Sequence, residues 1–103
     1  MHKSQISTSG TRILKVLKAL KGYTLTGLSN GDIAKIINES PVNVTRSLQT
    51  LIEEGLVIKL DNGLFAHSVQ MLQIAQAHAI HISKMQDQIT EINQRITAGA
   101  RQG

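Results

Sequence analysis

A polar segment in the middle of the chain offers hydroxyl, amide and guanidinium groups without any carboxylate. Neither Asp nor Glu occurs from Pro41 through Ile52. Asn and Gln amides can pair with adenine, Arg can bridge guanine or hold a phosphate, and Val can touch the thymine methyl group. The candidate DNA-binding residues of this segment are Ser40, Pro41, Val42, Asn43, Thr45, Arg46 and Gln49. This chemistry suits double-stranded DNA; the simpler alternative is the solvated side of an amphipathic helix.

Three residues outside this segment complete the predicted DNA-binding set. They are Ser29, Lys59 and Asn62. Lys59 and Asn62 lie on a predicted hairpin, from which they could reach the DNA backbone or a neighbouring minor groove. The hairpin has one cation, and its Asp61 repels phosphate. A purely structural hairpin is therefore an equal alternative.

A first helix is predicted from Thr11, after a flexible polar arm at residues 1–10, and Gly22 is its expected stop. Three lysines recur on one side of it at three-residue spacing: Lys15, Lys18 and Lys21. They either contact phosphates flanking the site or form the solvated face of the helix, and we favour the solvated face. The apolar stripe expected opposite them comprises Ile13, Leu14, Val16, Leu17 and Leu20.

Two further helices joined by a tight turn are expected to hold the polar segment outward. Ser29 can cap the second helix, which runs to about Ile37, and Asn38 tolerates the left-handed conformation of a tight turn. The third helix starts at Ser40, with Pro41 in the first helical position. The residues expected to point inward are Ile33, Ala34, Ile36, Ile37, Val44, Leu48, Leu51 and Ile52. A helix presented in this way fits the major groove of DNA.

A hairpin follows the third helix. Residues 56–60 are rich in β-formers, residues 61–63 form an Asp-Asn-Gly turn, and residues 64–67 can return as a second strand. The order of elements predicts a mainly α fold with a small β-hairpin. We therefore expect a winged helix-turn-helix domain at residues 11–67, followed by a long C-terminal dimerisation helix.

That last helix is predicted at residues 68–98, capped by Ser68 and followed by a tail at residues 99–103. Its apolar residues recur at alternating spacings of four and three, which is the heptad pattern of a coiled coil. The predicted dimerisation residues are Met71, Ala75, His78, Ile82, Met85, Ile89, Ile92 and Ile96. We call this set the heptad seam. Self-association as a homodimer is the simplest way to bury it.

Several alternatives stay open for this helix. It could fold back on its own domain, although about 60 preceding residues are too few to cover so long a seam. The positions flanking the seam are almost uncharged, so parallel and antiparallel pairings are both allowed, as are more than two helices. His78 and His81 lie three residues apart, but two ligands do not make a metal site, and we expect interface packing and no metal.

Composition excludes several classes of function. The 103 residues carry a net charge of +4 and contain no cysteine, and only two residues are aromatic. These counts argue against a thiolate metal site, a cysteine nucleophile and a stacking platform for single-stranded nucleic acid. No phosphate-binding glycine loop, nucleophile elbow or paired catalytic carboxylates are present. The prediction is a cytoplasmic, nucleoid-associated protein that is not an enzyme, needs no cofactor and does not associate with membranes.

Residues 12–72 resemble the N-terminal DNA-binding domain of the IclR family of bacterial transcriptional regulators. The stretches that carry the resemblance are residues 12–17, 27–34, 44–51, 54–57 and 63–65, and Arg46 to Leu51 followed by Glu54 to Val57 is the most specific part. The resemblance implies that Asn43, Thr45 and Arg46 lie at the DNA. The family's large effector-binding domain has no counterpart in this chain, so a small-molecule effector is not implied. A small bacterial or phage regulator fits this length.

The predicted function is sequence-specific binding of double-stranded DNA by a dimeric transcriptional regulator, with the helix at about residues 40–54 in the major groove. Two alternatives belong to other classes. One is a winged helix used as a protein-interaction module, and the other is a nucleoid-type protein that binds DNA without sequence preference.

Overall fold

The computed structural model describes residues 5–102. Over these residues the elements follow the order α1 (Thr8–Ala19), α2 (Asn30–Ile37), α3 (Pro41–Glu53), β1 (Val57–Lys59), β2 (Phe65–His67) and α4 (Val69–Gln102). The two strands pair antiparallel, with Ile58 opposite Ala66. This order confirms the predicted fold class: a mainly α winged helix-turn-helix with one hairpin and a long C-terminal helix.

The start of α1 differs from its prediction. The helix begins at Thr8 rather than Thr11, because the Ser7 side chain accepts a hydrogen bond from the Gly10 amide at 3.0 Å and caps the helix there. The predicted arm at residues 1–10 is therefore wrong for residues 8–10, and residues 1–4 lie outside the described part of the chain. Leu20 ends the helix, and Gly22 follows with a φ of 88°.

The helix-turn-helix forms as its residue types predict. The Ser29 hydroxyl caps α2 by accepting from the Asp32 amide at 3.1 Å, and the Ser40 hydroxyl caps α3 by accepting from the Asn43 amide at 3.2 Å. Asn38 ends α2 in the left-handed conformation, with φ 55° and ψ 57°. Three residues separate α2 from α3. A connection this short fixes the angle between the two helices.

One hydrophobic core joins the three helices to the hairpin. Its buried residues are Val16, Leu20, Leu28, Ile33, Ala34, Val44, Leu48, Leu51 and Val57. Three residues predicted to point inward are instead exposed: Leu14 (56%), Ile36 (56%) and Ile52 (39%). Each lies roughly 100° around its helix from the middle of the buried stripe. The prediction was wrong for them because these short helices bury only a narrow face.

The hairpin is tied to the body by backbone hydrogen bonds. Leu28, just before α2, exchanges two of them with Phe65, with N–O distances of 2.9 and 2.8 Å. The Leu60 amide donates to the Leu64 carbonyl at 2.7 Å, which closes a three-residue loop whose last residue, Gly63, has a φ of 83°. Gly27 passes closely beneath this loop, also with a positive φ.

Ser68 caps α4 as predicted, because its hydroxyl accepts from the Met71 amide at 3.1 Å. The same hydroxyl donates to the Gly55 carbonyl at 2.6 Å. The helix continues to Gln102, so the predicted tail at residues 99–103 is wrong for residues 99–102, and Gly103 lies outside the described residues. Gly99 costs a helix only about 1 kcal/mol relative to Ala, which is too little to end it.

The chain divides into two compact units, residues 1–72 and residues 73–103. The second unit is the greater part of α4, and its side chains from Gln73 through Arg101 are all exposed. Across residues 5–102, no helix is apolar over a stretch long enough to cross a bilayer.

Gly27→Ala should destabilise the protein far more than Gly22→Ala. Both positions have positive φ, so each substitution costs about 1–2 kcal/mol in backbone strain. A Cβ on Gly27 would also lie 2.8 Å from Leu64 Cβ and 3.1 Å from the Phe65 carbonyl, whereas a Cβ on Gly22 meets nothing within 4 Å. Overpacking adds roughly 1–3 kcal/mol at Gly27. Urea denaturation of both variants measures the difference, and equal losses would contradict the close approach.

Candidate nucleic-acid interface

The outer side of α3 is an exposed ridge formed by Val42, Arg46 and Gln49. Val42 is 62% exposed, and Arg46 and Gln49 are also exposed. The opposite side of the helix is buried through Val44 and Leu48. Within residues 5–102, neither the Arg46 nor the Gln49 side chain has a hydrogen-bond or ion-pair partner. These three side chains are exposed on the side of α3 opposite the core, and their contact with DNA stays a prediction.

Two clefts flank this ridge, one on each side of α3. The first lies between α1 and α3 and is lined by Ser9, Arg12, Ile13, Asn43, Arg46, Ser47 and Thr50. The second lies between α3 and the hairpin and is lined by Asn30, Thr45, Leu48, Gln49, Ile52, Lys59 and Phe65. The hairpin therefore brings Lys59 to the same cleft as Gln49, which lies ten residues earlier in the chain. The Lys59 ammonium group lies 5.8 Å from the centre of the Phe65 ring.

Asn43 is held by a neighbouring carboxylate. Its Nδ2 donates to Glu39 Oε1 at 3.0 Å, and the side chain is half-buried. Arg12 Nε lies 3.2 Å from Glu39 Oε2 without the alignment of a hydrogen bond, so that contact is an ion pair. The hydrogen bond from Asn43, and then the Arg12 guanidinium, lower the pKa of Glu39. Asn43 thus connects α3 to Glu39, which in turn pairs with Arg12 on α1, and only part of the Asn43 amide stays free.

Thr45 is also engaged inside the protein. Its hydroxyl donates to the Pro41 carbonyl at 3.0 Å and accepts from Asn30 Nδ2 at 2.6 Å. Asn30 Nδ2 lies 3.2 Å from the Pro41 carbonyl as well. Asn30 therefore links the first turn of α2 to the first turn of α3, and Thr45 is exposed but oriented by this link.

Sequence reasoning missed the roles of Glu39, Asn30 and Arg12. Glu39 stands four residues before Asn43, and that spacing is the one local sign of their contact. Asn30 and Thr45 are 15 residues apart, and Arg12 and Glu39 are 27 apart, so only the folded chain brings them together.

The remaining candidates occupy the ends of elements. The Ser29 and Ser40 hydroxyl oxygens accept from backbone amides as helix caps, which leaves their own O–H groups to donate. Pro41 is exposed, and its carbonyl is the shared acceptor of Thr45 and Asn30. Asn62 lies at the tip of the hairpin, where its Oδ1 accepts from the Leu64 amide at 3.0 Å. These residues are not part of the ridge formed by Val42, Arg46 and Gln49.

Most of the heptad seam on α4 is exposed. Met71 is half-buried, whereas Ala75, His78, Ile82, Met85, Ile89, Ile92 and Ile96 are exposed. Arg95 pairs with Glu91 on the same helix at 2.6 Å. His78 and His81 have no third ligand nearby: within residues 5–102, no cluster of three His, Asp or Glu side chains could hold a metal ion.

The IclR helix-turn-helix domain model matches residues 9–61. An IclR family transcriptional regulator from Brucella abortus has a similar fold, with a TM-score of 0.65 and 24% identity over 76% of this chain and 30% of that chain. A mutant of S. aureus MepR matches with a TM-score of 0.54 and 17% identity, over 97% of this chain and 78% of that chain.

A second S. aureus MepR mutant, solved bound to an oligodeoxyribonucleotide, has a TM-score of 0.54 and 16% identity, again over 97% of this chain and 78% of that chain. At these identities the likeness extends to the fold alone. The comparison with curated proteins finds no match.

Glu39→Gln should change how stability depends on pH. The pKa of Glu39 is lowered in the folded protein. Its ionised carboxylate therefore contributes its full stabilisation at pH values above the ordinary pKa of 4.5. This contribution is lost as the pH falls through the lowered folded pKa. The wild type should therefore exceed Glu39→Gln in stability near neutral pH, and the gap should close in acid. Urea midpoints measured across the acidic range test this, with Glu53→Gln correcting for the loss of one negative charge. A gap that is independent of pH would contradict the assignment.

Proposed function

Because the chain belongs to the IclR helix-turn-helix domain family, we propose that it regulates transcription by binding specific sequences of double-stranded DNA as a homodimer. In this proposal α3 enters the major groove through its exposed ridge. Binding to chromosomal DNA places the protein on the nucleoid.

The ridge of α3 is the observation that carries this proposal. Arg46 and Gln49 are exposed and lack internal partners among the described residues, and no carboxylate occurs from Pro41 through Ile52. Buried core residues hold the helix from behind, so the ridge is presented by a rigid element. A rigid, acid-free helix with free guanidinium and amide groups is suited to the major groove.

The two sides of α3 contribute differently in this proposal. Gln49 and Val42 face the base edges, and Lys59 approaches from the hairpin side of the same cleft as Gln49. Thr45 is oriented by Asn30, and Asn43 is restrained by Glu39, so both act mainly by fixing the position of the helix. In this proposal the Ser29 and Ser40 hydroxyls and the amide of Asn62 contact the DNA backbone.

The heptad seam supports the dimer. In each copy, four Ile and two Met of the seam, of which only Met71 is already half-buried, would leave water when two copies pair, which is worth about 10 kcal/mol per copy before entropy costs. A homodimer also supplies two α3 ridges, and two half-sites one helical turn apart are what dimeric helix-turn-helix proteins bind. The flanking positions leave the direction of pairing unassigned.

Arg46→Ala should weaken duplex binding at least ten-fold, because the ridge loses its one cation. Lys84→Ala removes the same charge from α4, outside the ridge, and should change binding little. Mobility-shift titrations at fixed salt, on a duplex that the wild type has selected from a random pool, measure both. Equal affinity of Arg46→Ala and the wild type would show that α3 is not part of the DNA interface. Equal affinity of the wild type for selected and random duplex would identify a nucleoid-type protein instead.

Ile89→Asp should convert the dimer to a monomer. Each buried Ile is worth roughly 1.5–3 kcal/mol, and a dimer loses two of them and gains two unpaired charges. The dissociation constant should rise by a factor of at least 100. Thr90→Asp places the same charge one residue away, outside the seam, and should leave the dimer intact. Sedimentation velocity over a concentration series separates the two variants, and a monomeric wild type would overturn the proposal for the seam.

A further inference from the structure

We propose that the cleft between α1 and α3 binds a phosphodiester of the DNA backbone, and that Arg46 serves this phosphate rather than a base. The proposal rests on the proposed function, because it names a ligand for one side of the same interface. It adds Ser9 and Arg12, which the sequence does not single out, to the DNA-binding surface.

The lining of this cleft has the composition of a phosphate site. It carries two guanidinium groups, from Arg12 and Arg46, and the hydroxyl group of Ser9, whereas the Thr50 hydroxyl donates to the Arg46 carbonyl at 3.1 Å. No carboxylate is among its lining residues. Guanidinium groups donate paired hydrogen bonds that match phosphate oxygens, and hydroxyl donors complete such sites.

Both arginines have donors to spare. Arg46 is exposed, and among residues 5–102 its side chain has no partner. Arg12 lies with Nε 3.2 Å from Glu39 Oε2 as an ion pair without hydrogen-bond alignment, so this contact does not use the N–H donors of its guanidinium. That ion pair also orients Arg12 before any ligand arrives, because it holds the side chain against the start of α3. Arg12, Arg46 and Glu39 together carry a charge of +1, which one phosphodiester balances.

The start of α1 favours an anion at the same place. The first turn of α1, like those of α3 and α4, contains no acidic residue. Amides in the first turn of a helix lack acceptors within the helix and carry the positive end of its dipole. Ser9 lies in this turn and lines the cleft, so the dipole adds to the charge of the two arginines.

The position of the cleft assigns it to the DNA backbone. Asn43, Arg46 and Thr50 lie on the side of α3 that faces α1, whereas Gln49 lies on the side that faces the hairpin. A phosphate between α1 and α3 therefore stands beside the ridge, where the backbone borders a groove occupied by α3. Sequence discrimination then falls to Val42 and Gln49, and Arg46 contributes affinity that is equal for all sequences.

The test uses Ser9→Asp and Arg46→Gln, with Thr8→Asp as the matched control. Both aspartates stand in the first turn of α1, where an acid is compatible with the helix. Thr8 lies outside the cleft between α1 and α3 and lines a different one, in which Glu39 already pairs with Arg12. Binding to the duplex selected by the wild type and to unselected random duplex is measured over a range of salt concentrations.

Ser9→Asp should weaken binding to both duplexes about ten-fold relative to Thr8→Asp, because it places a negative charge in the phosphate site. Arg46→Gln should weaken both duplexes by the same factor and reduce the slope of log affinity against log salt by about 0.9. A loss confined to the selected duplex would make Arg46 a base-contacting residue and overturn the proposal, as would equal affinities of the two aspartate variants. A wild type that binds neither duplex would overturn the proposed function and the cleft with it.

Discussion

The three residues between α2 and α3 determine the direction in which α3 leaves the body, and each does so by a different interaction. Asn38 reverses the chain by adopting the left-handed conformation. Glu39 forms an ion pair with Arg12 on α1 and accepts a hydrogen bond from Asn43 on α3. Ser40 then caps α3. With the turn held in this way, burial of Val44 and Leu48 on one side places Val42, Arg46 and Gln49 on the other.

This arrangement divides the polar residues of α3 into two groups. Asn43 and Thr45 use their side chains to join the helix to its neighbours, at Glu39 and Asn30. Among the described residues, the side chains of Arg46 and Gln49 make no hydrogen bond or ion pair, so their donors are free for a ligand. The separation has a physical basis, because a side chain that positions a helix must be hydrogen-bonded within the protein. A side chain that binds DNA must keep its donors free.

The second unit of the chain poses a different problem from the first. Residues 1–72 bury a core of their own, whereas the side chains of residues 73–101 are all exposed. A helix with an apolar seam gains little by remaining in water, since its hydrophobic surface contributes no stability there. In the homodimer that we propose, a second copy of the helix covers the seam and supplies a second α3 for an operator with two half-sites.

Much of the fold follows from local rules and can therefore be predicted from the sequence. Ser29, Ser40 and Ser68 cap helices because a hydroxyl before a helix satisfies a free amide, and Asn38 turns the chain because its side chain tolerates positive φ. The Asp-Asn-Gly turn and the helix order need no distant contacts either. The same holds for the absence of carboxylates on α3, which is a property of the sequence alone.

Other features were decided by the tertiary structure. The width of each buried stripe depends on the neighbouring helices, which is why Leu14, Ile36 and Ile52 are exposed although their spacing predicted burial. The contacts of Asn30 with Thr45 and of Arg12 with Glu39 join residues remote in sequence, and they determine which side chains of α3 remain free. Residue types and spacing determined where the helices begin and turn, because those rules are local. Which polar groups face a ligand was decided only when distant segments packed together.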